Sequence, residues 1–215
     1  MAETLIETVR VIDGLTPLWP LHRWRLLNSV LALGVPLPEI EPPAGGGDRV
    51  ARMELTDGLA RWTDREVEST TELSLWISPA PHRGYAHKTG SRAWLEAACT
   101  TGQATGADDA LLFDEQDRLV EATRWAIGWW EGEQLCFPPF ALGGLRSVAR
   151  ARLTEMVRGG VREGILRRDD LAKRSFLACN AARGVVSVTI LNGTPIVPDQ
   201  RTAALARRFW TRADA

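Results

Sequence analysis

Lysine is nearly absent from this 215-residue chain. Of its 26 Lys and Arg residues, only Lys88 and Lys173 are lysines. A guanidinium does not lose its proton in a protein, whereas an ammonium does so when it is desolvated. Because arginine supplies nearly all of the positive charge here, Lys88 suggests a role that needs a neutral amine, such as Schiff-base chemistry with a carbonyl compound. The alternative for Lys88 is a solvated loop lysine.

Other scarce features exclude several classes of protein. A net charge of -1 and a pI near 6.3 give no basic excess, which argues against a nucleic-acid-binding surface. Cys99, Cys136 and Cys179 are too few and too widely spaced for a disulfide framework, and no His or Cys has metal-ligand spacing. No apolar run approaches the length of a transmembrane helix, and the first residues lack a signal-peptide layout. We therefore expect a cytoplasmic protein without a metal, membrane or nucleic-acid partner.

The length and composition are those of an ordinary globular protein. With 45% hydrophobic and 25% charged residues, the chain can bury the core of one large domain or two small ones. The run Pro79-Ala80-Pro81 separates the patterns before it from those after it. We expect a small N-terminal α/β domain over residues 1–78, a linker over residues 79–86 and a larger domain over residues 87–215.

Hydrophobic periodicity predicts a mixed α/β (α+β) order of elements. Alternation over residues 4–12 predicts a strand, and Asp13-Gly14 a hairpin turn. Apolar residues at helical spacing predict a helix over residues 18–33, ended by Gly34 and Pro36. Further strands are predicted over residues 50–55, 59–62, 72–77, 109–114, 119–121, 127–130, 134–137, 175–179 and 185–191, and further helices over residues 92–101, 147–159, 168–173 and 202–211.

Four groups of segments carry chemically distinctive residues in a fixed order: residues 6–11 with 21–26, 87–92, 119–123, and 145–150 with 179–184. Their order and spacing resemble the class IV aminotransferase family, the fold-type IV pyridoxal-phosphate enzymes, and within it the aminodeoxychorismate lyases. The resemblance runs from about residue 4 to about residue 195. It implies a two-domain fold of the D-amino acid aminotransferase type with a shortened N-terminus, pyridoxal 5'-phosphate in the cleft between the domains, and a homodimer.

The resemblance also implies a role for individual residues. Lys88 matches the Schiff-base lysine, and Glu121 matches the carboxylate that keeps the pyridine nitrogen protonated, which makes the ring a better electron sink. Arg25, in a His-x-x-Arg-Leu pattern that begins at His22, matches the phosphate-binding arginine. The other implied cofactor contacts are Leu145 on the ring face and Ser147, Val148, Ala149, Asn180 and Ala181 around the phosphate, and the implied substrate contacts are Thr8, Arg92, Trp125 and Arg183.

The same residues have ordinary interpretations, and the chain departs from the family pattern at several positions. Taken singly, Glu121 could be a surface glutamate of a hairpin and Arg25 a solvated helix charge. Trp125 and Ala126 stand where Gly or Ser and then Asn are usual, and Ala149 lacks the hydroxyl of the usual threonine. These departures favour an alternative in which the chain is a non-catalytic paralogue that keeps the fold as a binding or assembly partner.

The resemblance implies a lyase that converts 4-amino-4-deoxychorismate to 4-aminobenzoate and pyruvate, a reaction that feeds folate synthesis. The alternative reaction is transamination of branched-chain amino acids, D-amino acids or amines. Both reactions would use Lys88 and Glu121, so these residues do not discriminate between them. The Lys-Thr-x-x-Arg pattern at residues 88–92 and the pair Asn180-Ala181 favour the lyase.

Overall fold

Two β-sheets of unequal size organise the chain in the computed structural model, which describes residues 3–211. The smaller sheet has three antiparallel strands in the order β1 (Leu5–Val11), β2 (Arg49–Thr56) and β3 (Leu59–Arg65). Helix α1 (Trp19–Leu33) packs on this sheet. Their shared core is formed by Leu5, Leu26, Val30, Met53 and Leu55.

The larger sheet contains nine strands. They are β4 (Glu72–Ile77), β5 (Asp109–Phe113), β6 (Leu119–Ala122), β7 (Ala126–Glu131), β8 (Gln134–Phe137), β9 (Arg162–Glu163), β10 (Phe176–Asn180), β11 (Gly184–Leu191) and β12 (Thr194–Pro195). Their order is β6-β5-β4-β11-β10-β7-β8-β9, with β12 beside β11. Strand β4 is parallel to β5 and β11, and β8 is parallel to β9, whereas the other pairs are antiparallel. The mixed α/β class predicted from the sequence is confirmed.

Three further helices pack on the larger sheet. Helix α2 (Ala93–Ala104) lies against β4 and β5, α3 (Val148–Met156) against β10, and α4 (Gln200–Arg208) against β11. Short 3-10 helices occupy Phe140–Leu142 and Arg168–Lys173. In the part of the chain that the structure describes, no helix is long and apolar enough to span a bilayer, and no group of three or more His, Cys, Asp or Glu residues is placed to hold a metal ion.

Local signals in the sequence locate the turn at Asp13-Gly14, whereas the ends of two helices differ from their predicted positions. Asp13 and Gly14 adopt φ angles of 49° and 78°, and the predicted tight turn there is confirmed, since Ile12 and Leu15 pair across it. The helix predicted over residues 202–211 instead begins at Gln200 and ends at Arg208. It begins earlier because the Asp199 side chain accepts a hydrogen bond from the Arg201 amide and so caps the first turn.

The helix predicted over residues 147–159 is also shorter in the structure. It ends at Met156, because Val157 has extended backbone angles. At its start, Ser147 is the capping residue rather than the first helical one, so the helical segment begins at Val148.

One strand lies in a different sheet from the one that the sequence suggests. Strand β4 precedes the predicted linker at residues 79–86, yet it pairs with β5 and β11 of the larger sheet. The two sheets therefore divide the chain between Arg65 and Glu72, while the domain linker at residues 79–86 stays a prediction. The reason is that the pairing of β4 is parallel and between segments distant in sequence, so the apolar pattern of β4 carries no sign of it.

The backbone at Lys88 is attached to the smaller sheet. The Ile6 amide donates a hydrogen bond to the Lys88 carbonyl at 2.8 Å, and the Gly90 amide donates one to the Thr4 carbonyl at 2.8 Å. Residues 88–90 thus run along the free edge of β1. From there the chain enters α2 on the larger sheet, so Lys88 lies where the two sheets meet.

Candidate active site

A cleft of about 590 Å³ is lined by residues of both sheets. Every residue that the sequence predicts for the site lines this cleft except Ala149: Thr8, Arg25, Lys88, Arg92, Glu121, Trp125, Leu145, Ser147, Val148, Asn180, Ala181 and Arg183. Ala149 is fully buried instead and packs in the core behind the cleft wall, because it is on the inner side of the first turn of α3. The structure therefore brings together residues that are far apart in the sequence.

Lys88 presents its amine to this cleft. Its Nζ donates a hydrogen bond to Thr8 Oγ1 at 3.3 Å. Burial, and then the positive charge of Arg25, lower the pKa of Lys88 to about 7, although Glu7 acts in the opposite direction. A substantial fraction of the amine is therefore neutral near pH 7, as a nucleophile or general base requires.

The lowered pKa of Lys88 makes protein stability depend on pH. In the unfolded chain the amine keeps its proton up to about pH 10.5, whereas in the folded protein it loses that proton above about pH 7. The destabilisation of the folded protein by the buried, charged amine is therefore complete below about pH 7. It decreases as the pH rises from about 7 to 10.5. We expect Lys88→Met to raise the melting temperature of the apo-protein more at pH 6.5 than at pH 9.5. Equal increases at the two pH values, in thermal melts followed by circular dichroism, would show that the pKa of Lys88 is unperturbed.

Glu121, on β6, is a buried carboxylate held by two donors. Its Oε1 accepts a hydrogen bond from His82 Nε2 at 2.9 Å, and its Oε2 accepts one from the Leu145 amide at 3.2 Å. The loop that supplies the second donor comes close because of Gly144, where a Cβ atom would lie only 3.2 Å from Val120 and 3.6 Å from Glu121 Oε2. The interpretation of Glu121 as a surface glutamate is therefore wrong.

Arg25, on α1, is buried and held in a fixed orientation by Glu7 of β1. Its Nε and Nη2 donate to the two oxygens of Glu7 at 2.9 and 2.5 Å, and its Nη1 donates to the Arg146 carbonyl at 3.1 Å. His22 Nδ1 lies 2.6 Å from Glu7 Oε2. Burial by itself would raise the pKa of Glu7, but Arg25 and His22 outweigh it and hold that pKa at about 2. Arg25 is therefore not a solvated helix charge.

The N-terminus of α3 adjoins Arg25. The Ser147 hydroxyl accepts a hydrogen bond from the Arg150 amide at 3.2 Å, so Ser147 caps the helix. The amides of Val148 and Ala149 are also in the first turn, where no intrahelical acceptor is available. First-turn amides and a guanidinium together provide the donors and the positive charge that bind a phosphate group.

The turn between β10 and β11 uses its asparagine internally. Asn180 Oδ1 accepts hydrogen bonds from the amides of Ala182 and Arg183 at 3.1 and 2.8 Å, and its Nδ2 donates to the Arg124 carbonyl at 3.3 Å. The side chain therefore maintains the shape of the turn and of the small residue Ala181 beside it. A contact between Asn180 and the cofactor stays a prediction.

Trp125, the main departure from the family pattern, is accommodated by the core. Its ring is buried and packs within the hydrophobic core of the larger sheet, although one part of the residue lines the cleft. The guanidinium of Arg183 lies 5.7 Å from the ring centroid. The indole thus forms part of the cleft wall, and most of its surface contacts the core rather than the cleft.

Several residues around the cleft have no place in the sequence prediction. Glu7 did leave a signal, because it is an acidic residue in the buried phase of β1, where its alternate neighbours are apolar. His82 lies in the proline-rich segment after β4, where no periodicity exists. Tyr85 is the only tyrosine, and burial together with the nearby Glu121 raises its pKa. Nothing in the local sequence distinguishes Arg52 and Arg124 from the other arginines, and only the fold shows that they line the cleft.

Comparison with known proteins identifies the family. The sequence profile described as amino-transferase class IV matches residues 50–191, which is more than half of the chain. No curated protein matches the chain. The three solved structures described next are 24% identical to this chain or less. Likeness at this level of identity establishes the fold alone.

Three of the similar solved structures illustrate that fold. A Mycobacterium tuberculosis aminotransferase described as hypothetical, with pyridoxal phosphate bound, has a TM-score of 0.83 at 19% identity, over 97% of this chain and 89% of that one. A Legionella pneumophila protein provisionally assigned as a 4-amino-4-deoxychorismate lyase has a TM-score of 0.82 at 21% identity, over 97% and 91%. A Mesorhizobium loti protein provisionally assigned as an amino-acid aminotransferase has a TM-score of 0.78 at 24% identity, over 87% and 99%. The fold is therefore fold-type IV.

The cleft residues fit the cofactor of this family. An amine of lowered pKa, a buried carboxylate and an arginine beside a helix N-terminus are suited to an aldehyde, a ring nitrogen and a phosphate respectively. The alternative of a non-catalytic paralogue is accordingly not retained. The chain belongs to the class IV aminotransferase family and is a pyridoxal 5'-phosphate-dependent enzyme.

Proposed function

We propose that this enzyme is a lyase that converts 4-amino-4-deoxychorismate to 4-aminobenzoate and pyruvate. The observation that carries the proposal is the positive charge of the cleft, where Arg52, Arg92 and Arg124 accompany Lys88. This substrate carries two carboxylates in addition to its amino group, whereas a branched-chain amino acid carries one. Several guanidinium groups on one cleft suit a dianion because each binds a carboxylate through paired donors.

The electrostatics of Arg92 support an anionic substrate. Burial, and then the like charge of Arg52, lower the pKa of Arg92 from its usual value. The acidic partners of Arg92 and Arg52 are Glu96, at 4.0 Å, and Glu54, at 3.0 Å, and both glutamates are exposed to solvent. Such exposed pairs contribute only about 0–1 kcal/mol, so a substrate carboxylate can displace them at little cost.

In the proposed mechanism Lys88 moves a single proton. Pyridoxal 5'-phosphate, when bound, supplies an aldehyde for the substrate amine and a ring that draws electrons from the adjacent carbon. The neutral amine of Lys88 removes the proton from the ring carbon that carries the substrate amino group. That proton goes to the departing enolpyruvyl group, which becomes pyruvate while the remaining ring becomes aromatic. Neither water nor a keto acid is consumed.

The other groups orient the reacting atoms. Thr8 Oγ1 accepts a hydrogen bond from Lys88 Nζ and so directs the amine into the cleft. Arg25 and the first-turn amides of α3 would hold the phosphate, and Glu121 would keep a proton on the ring nitrogen. Because Arg25 contacts the Arg146 carbonyl and Glu121 contacts the Leu145 amide, a single loop sets the spacing of these two anchor points.

The direct test is to supply 4-amino-4-deoxychorismate to the holoenzyme without any keto acid. We expect equal amounts of pyruvate, measured with lactate dehydrogenase, and 4-aminobenzoate, measured by liquid chromatography. If the enzyme instead leaves this substrate intact and transfers amino groups from amino acids to a keto acid, the lyase proposal is wrong and the aminotransferase alternative replaces it.

Arg52→Gln tests the binding of the second carboxylate. We expect it to raise KM for 4-amino-4-deoxychorismate by about tenfold or more, because a charge-assisted hydrogen bond contributes about 1.5–3 kcal/mol, and to change kcat much less. Arg61→Gln, on the exposed face of the neighbouring strand β3, is the matched control and should leave both constants unchanged. Steady-state kinetics of pyruvate release provide the measurement, and equal KM values for the two variants would exclude Arg52 from substrate binding.

A further inference from the structure

His82 makes a side-chain hydrogen bond to the Glu121 carboxylate. Its Nε2 lies 2.9 Å from Glu121 Oε1, and the imidazole is buried. The other oxygen of Glu121 is occupied by the Leu145 amide. Since the two donors approach different oxygens, the carboxylate cannot rotate about its terminal torsion without losing both.

The second nitrogen of His82 determines where the imidazole hydrogen resides. Nδ1 lies 2.9 Å from the Gly84 amide, which can only donate, so Nδ1 accepts and carries no hydrogen. The hydrogen of the neutral ring is therefore on Nε2, from where it is donated to Glu121. A hydrogen-bond donor directed at a carboxylate stabilises the ionised form of that carboxylate.

The position of the ring is fixed by packing as well. Trp94 meets the imidazole edge-to-face with centroids 5.0 Å apart, and the Tyr85 ring lies 6.0 Å away on another side. The backbone at the same residue is also fixed, because the His82 amide donates to the Phe113 carbonyl at 2.7 Å. His82 is thus held against β5 of the larger sheet and against Trp94 of α2.

We infer that His82 is a positioning residue: it holds the Glu121 carboxylate in one orientation for the cofactor ring nitrogen. The inference rests on the role proposed above for Glu121. A purely structural role for His82 is the competing explanation, because its Nδ1 also closes the turn at Gly84.

Two substitutions separate these explanations. In His82→Asn the shorter side chain can still accept the Gly84 hydrogen bond but cannot reach Glu121. In His82→Gln the longer amide can place a donor where Nε2 stood. Both variants keep a polar, uncharged side chain of similar size, and thermal melting of each, loaded with pyridoxal 5'-phosphate, shows whether it folds.

The readout is the protonation of the cofactor ring nitrogen. Wild type, His82→Asn, His82→Gln and Glu121→Gln are loaded with pyridoxal 5'-phosphate that is ¹⁵N-labelled at this nitrogen, and its chemical shift is recorded. We expect His82→Asn to move the shift towards that of Glu121→Gln and to raise the Kd for the cofactor about tenfold, as for one hydrogen bond to a charged group. His82→Gln should retain values near wild type.

Three outcomes overturn the inference. If Glu121→Gln changes the shift and His82→Asn does not, His82 does not act through Glu121, although the role of Glu121 stands. If His82→Asn and His82→Gln are equally altered, the role of His82 is structural. If Glu121→Gln itself has the wild-type shift, the proposed role of Glu121 fails and this inference fails with it. Nitrogen NMR of wild-type His82 is a check that needs no substitution, since a hydrogen on Nδ1 is incompatible with the proposal.

Discussion

Replacing Lys88 with alanine is expected to lower kcat by at least about a thousandfold. A positioned general base contributes about 10²–10⁴ to a rate, and this variant also loses the amine that we propose links covalently to the cofactor. Thr8 Oγ1 cannot take over, because a hydroxyl is far less basic than an amine. Among residues 3–211 no second side-chain amine lines the cleft, since Lys173, the only other lysine of the sequence, is on the 3-10 helix Arg168–Lys173.

Lys173→Ala is the matched control for this experiment. Its side chain is 71% exposed and pairs with Asp170 in a contact at the surface, so its loss should leave kcat and cofactor content unchanged. Pyruvate release is measured at saturating cofactor, and cofactor content is determined for each variant, so that loss of binding is distinguished from loss of catalysis. If Lys88→Ala retains more than about a tenth of wild-type kcat, Lys88 is not the base.

Glu7→Gln is expected to destabilise the fold by about 3–5 kcal/mol at pH 7. This is the range for breaking a buried ion pair while the partner charge stays buried, and here the amide leaves Arg25 without its counter-ion. His22 also loses its ionised acceptor. Glu155→Gln is the control: it removes an exposed carboxylate paired with Arg152, and such pairs contribute about 0–1 kcal/mol.

The pH dependence of this loss follows from the pKa of Glu7. Because that pKa is about 2 in the folded protein against an ordinary value of 4.5, the stabilisation is complete above about pH 4.5 and is lost as the pH falls towards 2. The difference between wild type and Glu7→Gln should therefore decrease between pH 4.5 and pH 2. Urea unfolding at pH 7 and at pH 3 measures it. A difference below about 1 kcal/mol at pH 7 is incompatible with the buried pair seen in the structure.

The sequence indicates the cleft residues because chemistry restricts which residue types can stand there. Lys88 is conspicuous as one of two lysines, and Glu121 and Arg25 occur at the spacing of a known family. The turn at Asp13-Gly14 is likewise predictable, since it depends on local backbone geometry. These are signals confined to a few neighbouring residues.

What the sequence does not reveal depends on contacts between distant segments. The pairing of β4 in the larger sheet and the hydrogen bond from His82 to Glu121 join segments with no common local pattern. The Asn180 side chain accepts hydrogen bonds from the amides of its own turn, which its match to the family pattern does not reveal, and its contact with the phosphate stays a prediction. Which partner a polar side chain chooses is decided by the packed structure and not by its position in a motif.

The covalent attachment of the cofactor can be located directly. The holoenzyme is treated with sodium borohydride, which makes a linkage between a lysine amine and an aldehyde permanent, and is then digested and mapped by mass spectrometry. Because the chain has only two lysines, Lys88 and Lys173, the side chain that carries the reduced cofactor can be assigned without ambiguity. The reduced cofactor is expected on the peptide that contains Lys88. Its appearance on Lys173 alone, or on no lysine, is incompatible with a Schiff base at Lys88.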